Sequence, residues 1–229
     1  MSFPENKFKI AHRLTTRRLS IIAALSAIYV ICTLIPISPF IGGPSILTLN
    51  LIVVPLIALL LNPVEAFLTA LIGSLVAMWM IPTALANIFG PSVILLPTLG
   101  AFMGSSSKYK PGKLIVGGYL AYCVMAFITA IPEFPFWVAP HILAIILCPA
   151  TEFVKDEKIK TLIIAFVSTM CEQAIMMNLA VYQVQLPWQV FAAAFPFMLC
   201  ERAVATFGGF ILYIALQKAP VFSELVKSS

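Results

Sequence analysis

Eight apolar segments follow one another along the chain, near residues 20–37, 46–61, 64–81, 84–103, 113–131, 136–150, 161–181 and 188–216. Several approach the ~20 residues a helix needs to cross a bilayer; the second and sixth are shorter and the eighth is long. In lipid each backbone N–H and C=O must find its partner within the protein, so runs of this kind are read as helices. Composition agrees. Of 229 residues 61% are hydrophobic and 10% charged, with a mean hydropathy of +1.04, against roughly 25% charged in a soluble domain. Such a chain has too few polar side chains to cover a water-facing surface. The expected fold class is all-α, a polytopic integral membrane helical bundle of about eight spans, with six as the alternative count. The first segment does not read as a cleaved signal peptide, because it is long and further spans follow at once.

The basic residues test this count. They cluster at Lys7, Lys9, Arg13, Arg17 and Arg18, at Lys108, Lys110 and Lys113, at Lys155, Lys158 and Lys160, and at Lys218 and Lys227. With eight spans every cluster falls on one side, and only Arg202 is left within the membrane. The positive-inside rule then places both termini in the cytoplasm of a multi-pass protein of the cell membrane. The net charge of +5 is thereby a topological signal and not a nucleic-acid footprint. The N-terminal run also suits contact with anionic membrane lipid. The expected organisation is a basic tail (1–19), a transmembrane domain (20–217) and a short C-terminal tail (218–229).

The chain also echoes itself. Residues 35–44 read IPISPFIGGP and residues 131–140 read IPEFPFWVAP, 96 positions apart. GPSVILLPTLGAFMG (90–104) lies weakly parallel to FPFMLCERAVATFGG (195–209), with Pro91 in step with Pro196 and Phe102 with Phe207. This suggests two tandem four-helix halves, 20–104 and 113–216, repeated in parallel about the membrane normal. Both proline segments follow a helix leaving the cytoplasm. Closely spaced prolines stop a helix and favour extended backbone, and Gly42 and Gly43 add freedom to the first copy. The segments read as external turns or as a pair of outer pocket walls.

Small residues four apart let helix backbones approach closely: Ala23/Ala27, Ala66/Ala70/Ser74, Gly117/Ala121 and Ala205/Gly209. Reactive chemistry is harder to find. There is no GxxxxGK[ST] phosphate loop, so no ATP hydrolysis by this chain is expected. His12 lies in the basic tail and His141 near the outer face, which gives no metal cluster. Cys32, Cys123, Cys148, Cys171 and Cys200 are scattered singly and read as small buried apolar residues. No nucleophile has a base nearby. No cofactor and no enzymatic activity are expected.

Polar groups inside the apolar segments remain. Glu172 lies midway along the seventh segment, with Ser168, Thr169 and Gln173 nearby at helical spacing. Glu201 and Arg202 lie midway along the eighth, with no other charge within ten residues on either side. Outward of these come Asn178, Gln183, Gln185 and Trp188. Other helix ends add Asn50, Asn87, Glu133, Trp137 and His141. A charge at the bilayer centre costs at least ~2.5–3.5 kcal/mol on insertion scales, so it must turn inward and find a partner. Adjacent helix residues point about 100° apart, which makes Glu201 and Arg202 poor partners for each other. Arg202 with Glu172 is the better pair. It reads either as a clamp between two helices or as the floor of a pocket for a polar small molecule, with Glu172, Gln173, Asn178, Glu201, Arg202, Glu133, Trp137, His141, Asn50 and Asn87 as candidate contacts.

The stretch RRLSIIAALSAIYVICTLIP, followed by GGPSILTLNLIVVPLIALLLNPVEAFLTALIGSLVA, resembles the first three helices of energy-coupling-factor (ECF) transporter S components. Those are membrane proteins that capture vitamins or related micronutrients from outside. The likeness rests on the basic lead-in, Ala23/Ala27, a charge-free Gly/Pro loop, a short helix beginning TLNL, the turn at Asn62-Pro63 and a third helix rich in small residues. It covers about the first 80 residues, and the family's usual six helices supply the alternative count. The resemblance implies capture of a vitamin-like substrate for transport. It also implies a transmembrane coupling subunit in contact with Ala23 and Ala27, and ABC-type ATPases as the energy source. Two other readings stay open: a stand-alone transporter using Glu172 and Glu201 as proton sites, and a membrane assembly subunit or lipid-acting enzyme.

Overall fold

The computed structural model describes residues 16–39, 46–80 and 88–218. Asn87, Gly42, Gly43 and the basic residues before Thr16 lie outside the described residues. Among the described residues there are eight α-helices: α1 (Thr16–Thr33), α2 (Asn50–Leu60), α3 (Pro63–Met80), α4 (Leu95–Ser106), α5 (Lys110–Ala130), α6 (Ala139–Ala150), α7 (Glu157–Tyr182) and α8 (Trp188–Gln217). Each falls on one of the eight apolar segments. Single 3₁₀ turns, Gly90–Ile94 and Pro135–Val138, lead into α4 and α6.

One departure from helix lies between α1 and α2. Strand β1 (Pro36–Pro39) pairs antiparallel with β2 (Ile46–Thr48). The extended backbone expected of the proline segment is present at Pro36–Pro39. The apolar segments place helix up to 37 and from 46, and there the structure has strand instead, the chain pairing back on β1 before it enters α2.

Four helices, α3, α5, α7 and α8, are long and apolar enough to cross a membrane; residues 18–33, 50–60 and 135–150 form shorter apolar helices. Large apolar side chains face outward, among them Trp79, Leu114, Tyr122, Ile146 and Ile211. An outer surface of this kind is suited to hydrocarbon rather than water.

Side-chain contacts show that the helices run alternately up and down. Arg18 on α1 pairs with Glu65 on α3 at 2.6 Å. Lys108, just after α4, donates to the carbonyls of Leu61 at 2.5 Å and Leu59 at 3.4 Å, at the end of α2. Lys113 on α5 pairs with Glu152, just after α6, at 3.3 Å. These basic residues therefore gather at one end of the bundle. At the other end Gln183 donates to the Phe89 carbonyl at 3.0 Å and Tyr182 to the Ala126 carbonyl at 2.8 Å.

Two helices form the centre. α2 is apolar on every side, and all its residues from Val53 to Leu60 are buried, as befits a helix packed all round. Its last carbonyls, the negative end of the helix dipole, receive the Lys108 ammonium. α7 is the other, with buried residues on most of its length. Asn62 and Glu65 close the start of α3 with a reciprocal cap: the Glu65 N–H donates to Asn62 Oδ1 at 2.9 Å, and the Asn62 N–H to Glu65 Oε2 at 3.4 Å.

The close crossing of α4 and α7 depends on glycine. A Cβ on Gly100 would lie 2.8 Å from the Glu172 Cβ, and one on Gly104 would collide with Ser168. The absence of these carbons lets Ser168 Oγ donate to the Gly100 carbonyl at 2.9 Å. Of the pairs singled out from sequence, Ala66/Ala70/Ser74 and Ala205/Gly209 are buried, and Gly209 packs on Pro55 of α2. Ala23, Ala27 and Ala121 are exposed. Cys123, Cys148 and Cys171 are buried as expected; Cys32 is half-buried and Cys200 exposed.

The two copies of the proline segment differ in structure. The first contributes β1, whereas the second becomes a turn and a 3₁₀ helix. Pro91 opens a 3₁₀ turn, while Pro196 sits inside the 30-residue α8.

Candidate functional site

The site is built where α7 and α8 cross. Thr169 and Glu172 on α7 face Arg202 and Thr206 on α8 at helical spacing. Arg202 Nη1 donates to Glu172 Oε2 at 3.0 Å and to the Thr169 carbonyl at 3.3 Å. The Thr169 and Thr206 hydroxyls lie 3.2 Å apart. The Arg202–Glu172 pair is the one expected from sequence. The expectation that Glu201 and Arg202 would not pair is corrected, because Nη2 of Arg202 also binds Glu201 Oε1. The planar guanidinium fork on its long stem turns back to its neighbour with one nitrogen while reaching α7 with another. Glu172, Glu201 and Arg202 are all buried.

Above this trio lies a cavity of about 200 Å³. Its polar side is made by Glu172, Glu201 and Arg202 together with Thr48, Asn50 and Tyr29. Thr48 Oγ1 donates to Asn50 Oδ1 at 2.6 Å, and Asn50 Nδ2 donates to the Tyr29 hydroxyl at 3.0 Å. The β hairpin and the first residue of α2 thus bring a hydrogen-bonded row from α1 to the pocket. Its apolar side is made by Phe89, Val93, Leu96, Met176, Met177 and Phe191. Trp137 closes it, edge-on to Phe191 with ring centroids 5.1 Å apart. Ile88, exposed at the end away from the basic residues, belongs to the rim.

Several buried polar atoms in this region have no partner among the described residues: Trp137 Nε1, both amide atoms of Gln173, both ring nitrogens of His141 and Nε of Arg202. Unpaired buried polar atoms are uncommon and call for an explanation. Trp137, Gln173 and Arg202 line the cavity, while His141 does not. A confined site with one polar side and one aromatic side suits a small molecule with a flat apolar body and a polar head.

Of the residues expected from sequence, the cavity brings together Asn50, Trp137, Glu172, Gln173, Glu201 and Arg202. It does not include Asn178, whose amide donates to the carbonyls of Ala174 and Cys123 and so ties α7 to α5. It also leaves out Glu133, exposed in the turn after α5, and His141, buried behind the wall. Asn87 is outside the described residues. Sequence reasoning did not select Tyr29, Thr48, Met176 or Phe191. A single tyrosine or methionine in an apolar helix looks like any other core residue. Among the described residues no group of three or more His, Cys, Asp or Glu side chains is placed to hold a metal ion. No family model matches this sequence, and comparison with curated proteins and with solved structures found no match.

Proposed function

We propose that this protein is a membrane-embedded capture subunit. It takes a small molecule from the outer side into the cavity between α1, α7 and α8, in the manner of an ECF-type S component. The observation that carries this reading is that the buried Glu172–Arg202–Glu201 trio lines a cavity together with Thr48, Asn50 and Gln173 and with aromatic and apolar groups. A purely structural ion pair has no need of an adjoining space, whereas a recognition site does. Both termini and the basic end are cytoplasmic under the positive-inside rule, so the rim at Ile88 faces out. The sequence holds no GxxxxGK[ST] phosphate loop, and uptake would rely on a coupling subunit meeting α1 at Ala23 and Ala27 and on ABC-type ATPases.

Native mass spectrometry of the gently purified protein tests this. A co-purified small molecule is expected on the wild type and not on the Glu172→Gln/Arg202→Met double variant. A wild type that always appears at its bare mass, and whose melting is indifferent to a small-metabolite extract of its cells, would count against the proposal.

A second reading, a stand-alone proton-coupled transporter, draws support from two carboxylates sharing one guanidinium. Counter-transport of protons and solute in proteoliposomes holding this chain alone would favour it.

A further inference from the structure

The charges around the cavity do not balance. With both carboxylates ionised, Arg202 sets one positive charge against the two negative ones of Glu172 and Glu201. The other elements bring no compensating cation among the described residues. α1 presents Tyr29 and β2 and α2 present Thr48 and Asn50, all electrically neutral, while α4 and the 3₁₀ turn before it contribute apolar side chains. The His141 imidazole on α6 is buried, does not line the cavity and makes no ion pair. Nη1 and Nη2 of the guanidinium are engaged by its two carboxylates and the Thr169 carbonyl, and Nε alone has no partner among the described residues. Glu172 keeps about 11% of its side chain exposed and accepts from Arg202 through Oε2 alone. Oε1 of Glu172 and Oε2 of Glu201 are therefore the carboxylate oxygens left for a ligand.

Resting on the capture reading above, we infer that the ligand class is a small, flat, singly charged cation, whose positive N–H group binds Glu172 while its ring lies against the aromatic wall that Trp137 and Phe191 form together. An anionic ligand would raise the local imbalance to two negative charges in an apolar interior. A neutral one would leave it at one, and a cation cancels it. The aromatic side of the cavity adds to the same preference, because ring faces attract cations. The Trp137 N–H and the Gln173 amide remain for heteroatoms on the ring.

Three probes of one shape and different charge decide the matter: benzamidine, benzamide and benzoate. Each is titrated calorimetrically into the full chain in nanodiscs at pH 7. Benzamidine is expected to bind saturably, at least tenfold more tightly than benzamide, and benzoate not at all. Glu172→Gln should bring benzamidine down to the level of benzamide. In that variant Glu201 still pairs with Arg202, so the chain keeps a matched ion pair. Glu201→Gln repeats the test from the other helix and should also weaken benzamidine selectively. Equal binding of benzamidine and benzamide, or tighter binding of benzoate, would overturn the cation assignment and leave the capture reading intact. If none of the three binds, the assignment falls; the capture reading falls with it only if native mass spectrometry also finds no bound molecule.

Discussion

Arg202 Nη1 lies 3.0 Å from Glu172 Oε2 and joins the middles of α7 and α8. Removing the cation leaves two buried carboxylates without a counter-charge. Breaking a buried pair from one side commonly costs about 3–5 kcal/mol. Arg202→Met should therefore lower the melting midpoint in detergent sharply, read by intrinsic fluorescence. Glu172→Gln in the same chain should restore part of the loss, and adding Glu201→Gln should restore more, because the carboxylates share one partner. Simple addition of the single effects would mean that the groups do not act as a unit. Recovery of stability without recovery of ligand would mark the trio as recognition machinery; recovery of both would mark it as a clamp.

Lys108 gives a pH signature at the basic end. Burial pulls its ammonium from 10.5 down to about 8, against an opposing pull from Glu65. Between about pH 8 and 10.5 the unfolded chain binds the proton that the folded chain has released. Stability from this residue therefore rises with pH across that window and is flat below it. Thermal melts from pH 7 to 10 should show wild type gaining on Lys108→Met as pH increases. A constant difference between the two would refute the assignment.

Gly104 is expected to tolerate no side chain. A Cβ there meets Ser168, with Ala58 2.9 Å away on a second helix. Overpacking of this kind typically costs 1–3 kcal/mol. Gly104→Val should reduce folded yield and midpoint, while Gly118→Val, where a Cβ would meet nothing within 4 Å, should not.

Ala27 is exposed on α1, so Ala27→Leu should leave folding and ligand binding unchanged. If a coupling subunit packs on this face, the added bulk should abolish complex formation and uptake. A fall in the melting midpoint of the isolated chain would argue instead for an internal contact.

Orientation can be read by thiol labelling of intact cells in a cysteine-free background. Glu133→Cys, exposed in the turn beyond α5, should react with an impermeant reagent. Asp156→Cys, exposed at the basic end, should not. The reverse pattern would invert the topology.

The sequence was most informative where the physics leaves few choices. Long apolar runs in lipid must be helices, and among the described residues each of the eight segments holds an α-helix. A charge in such a run must be partnered, which singled out Glu172 and Arg202. It was less informative where one side chain can act in several ways. Arg202 reaches both its neighbour and the next helix, which a one-partner argument overlooks. Gly100 and Gly104 are four apart like the small pairs that were selected, yet only the α7 contact shows what they permit. Tyr29 and Phe191 carry no mark that separates a pocket wall from a core. The hairpin is a further case: its prolines forbade helix, but its pairing partner depends on where the chain returns.

α2 touches both ends of this account. Its first residue, Asn50, is hydrogen-bonded into the cavity wall, and the carbonyl just past its last turn holds Lys108. Eleven helical residues span about 16 Å. A buried helix of that length joins the cavity wall to the charged face, with Pro55 midway along it. If the proposed capture takes place, a shift that a bound molecule imposes on Asn50 has a covalent route to Leu61 and, through its carbonyl, reaches Lys108, at the opposite end of the bundle.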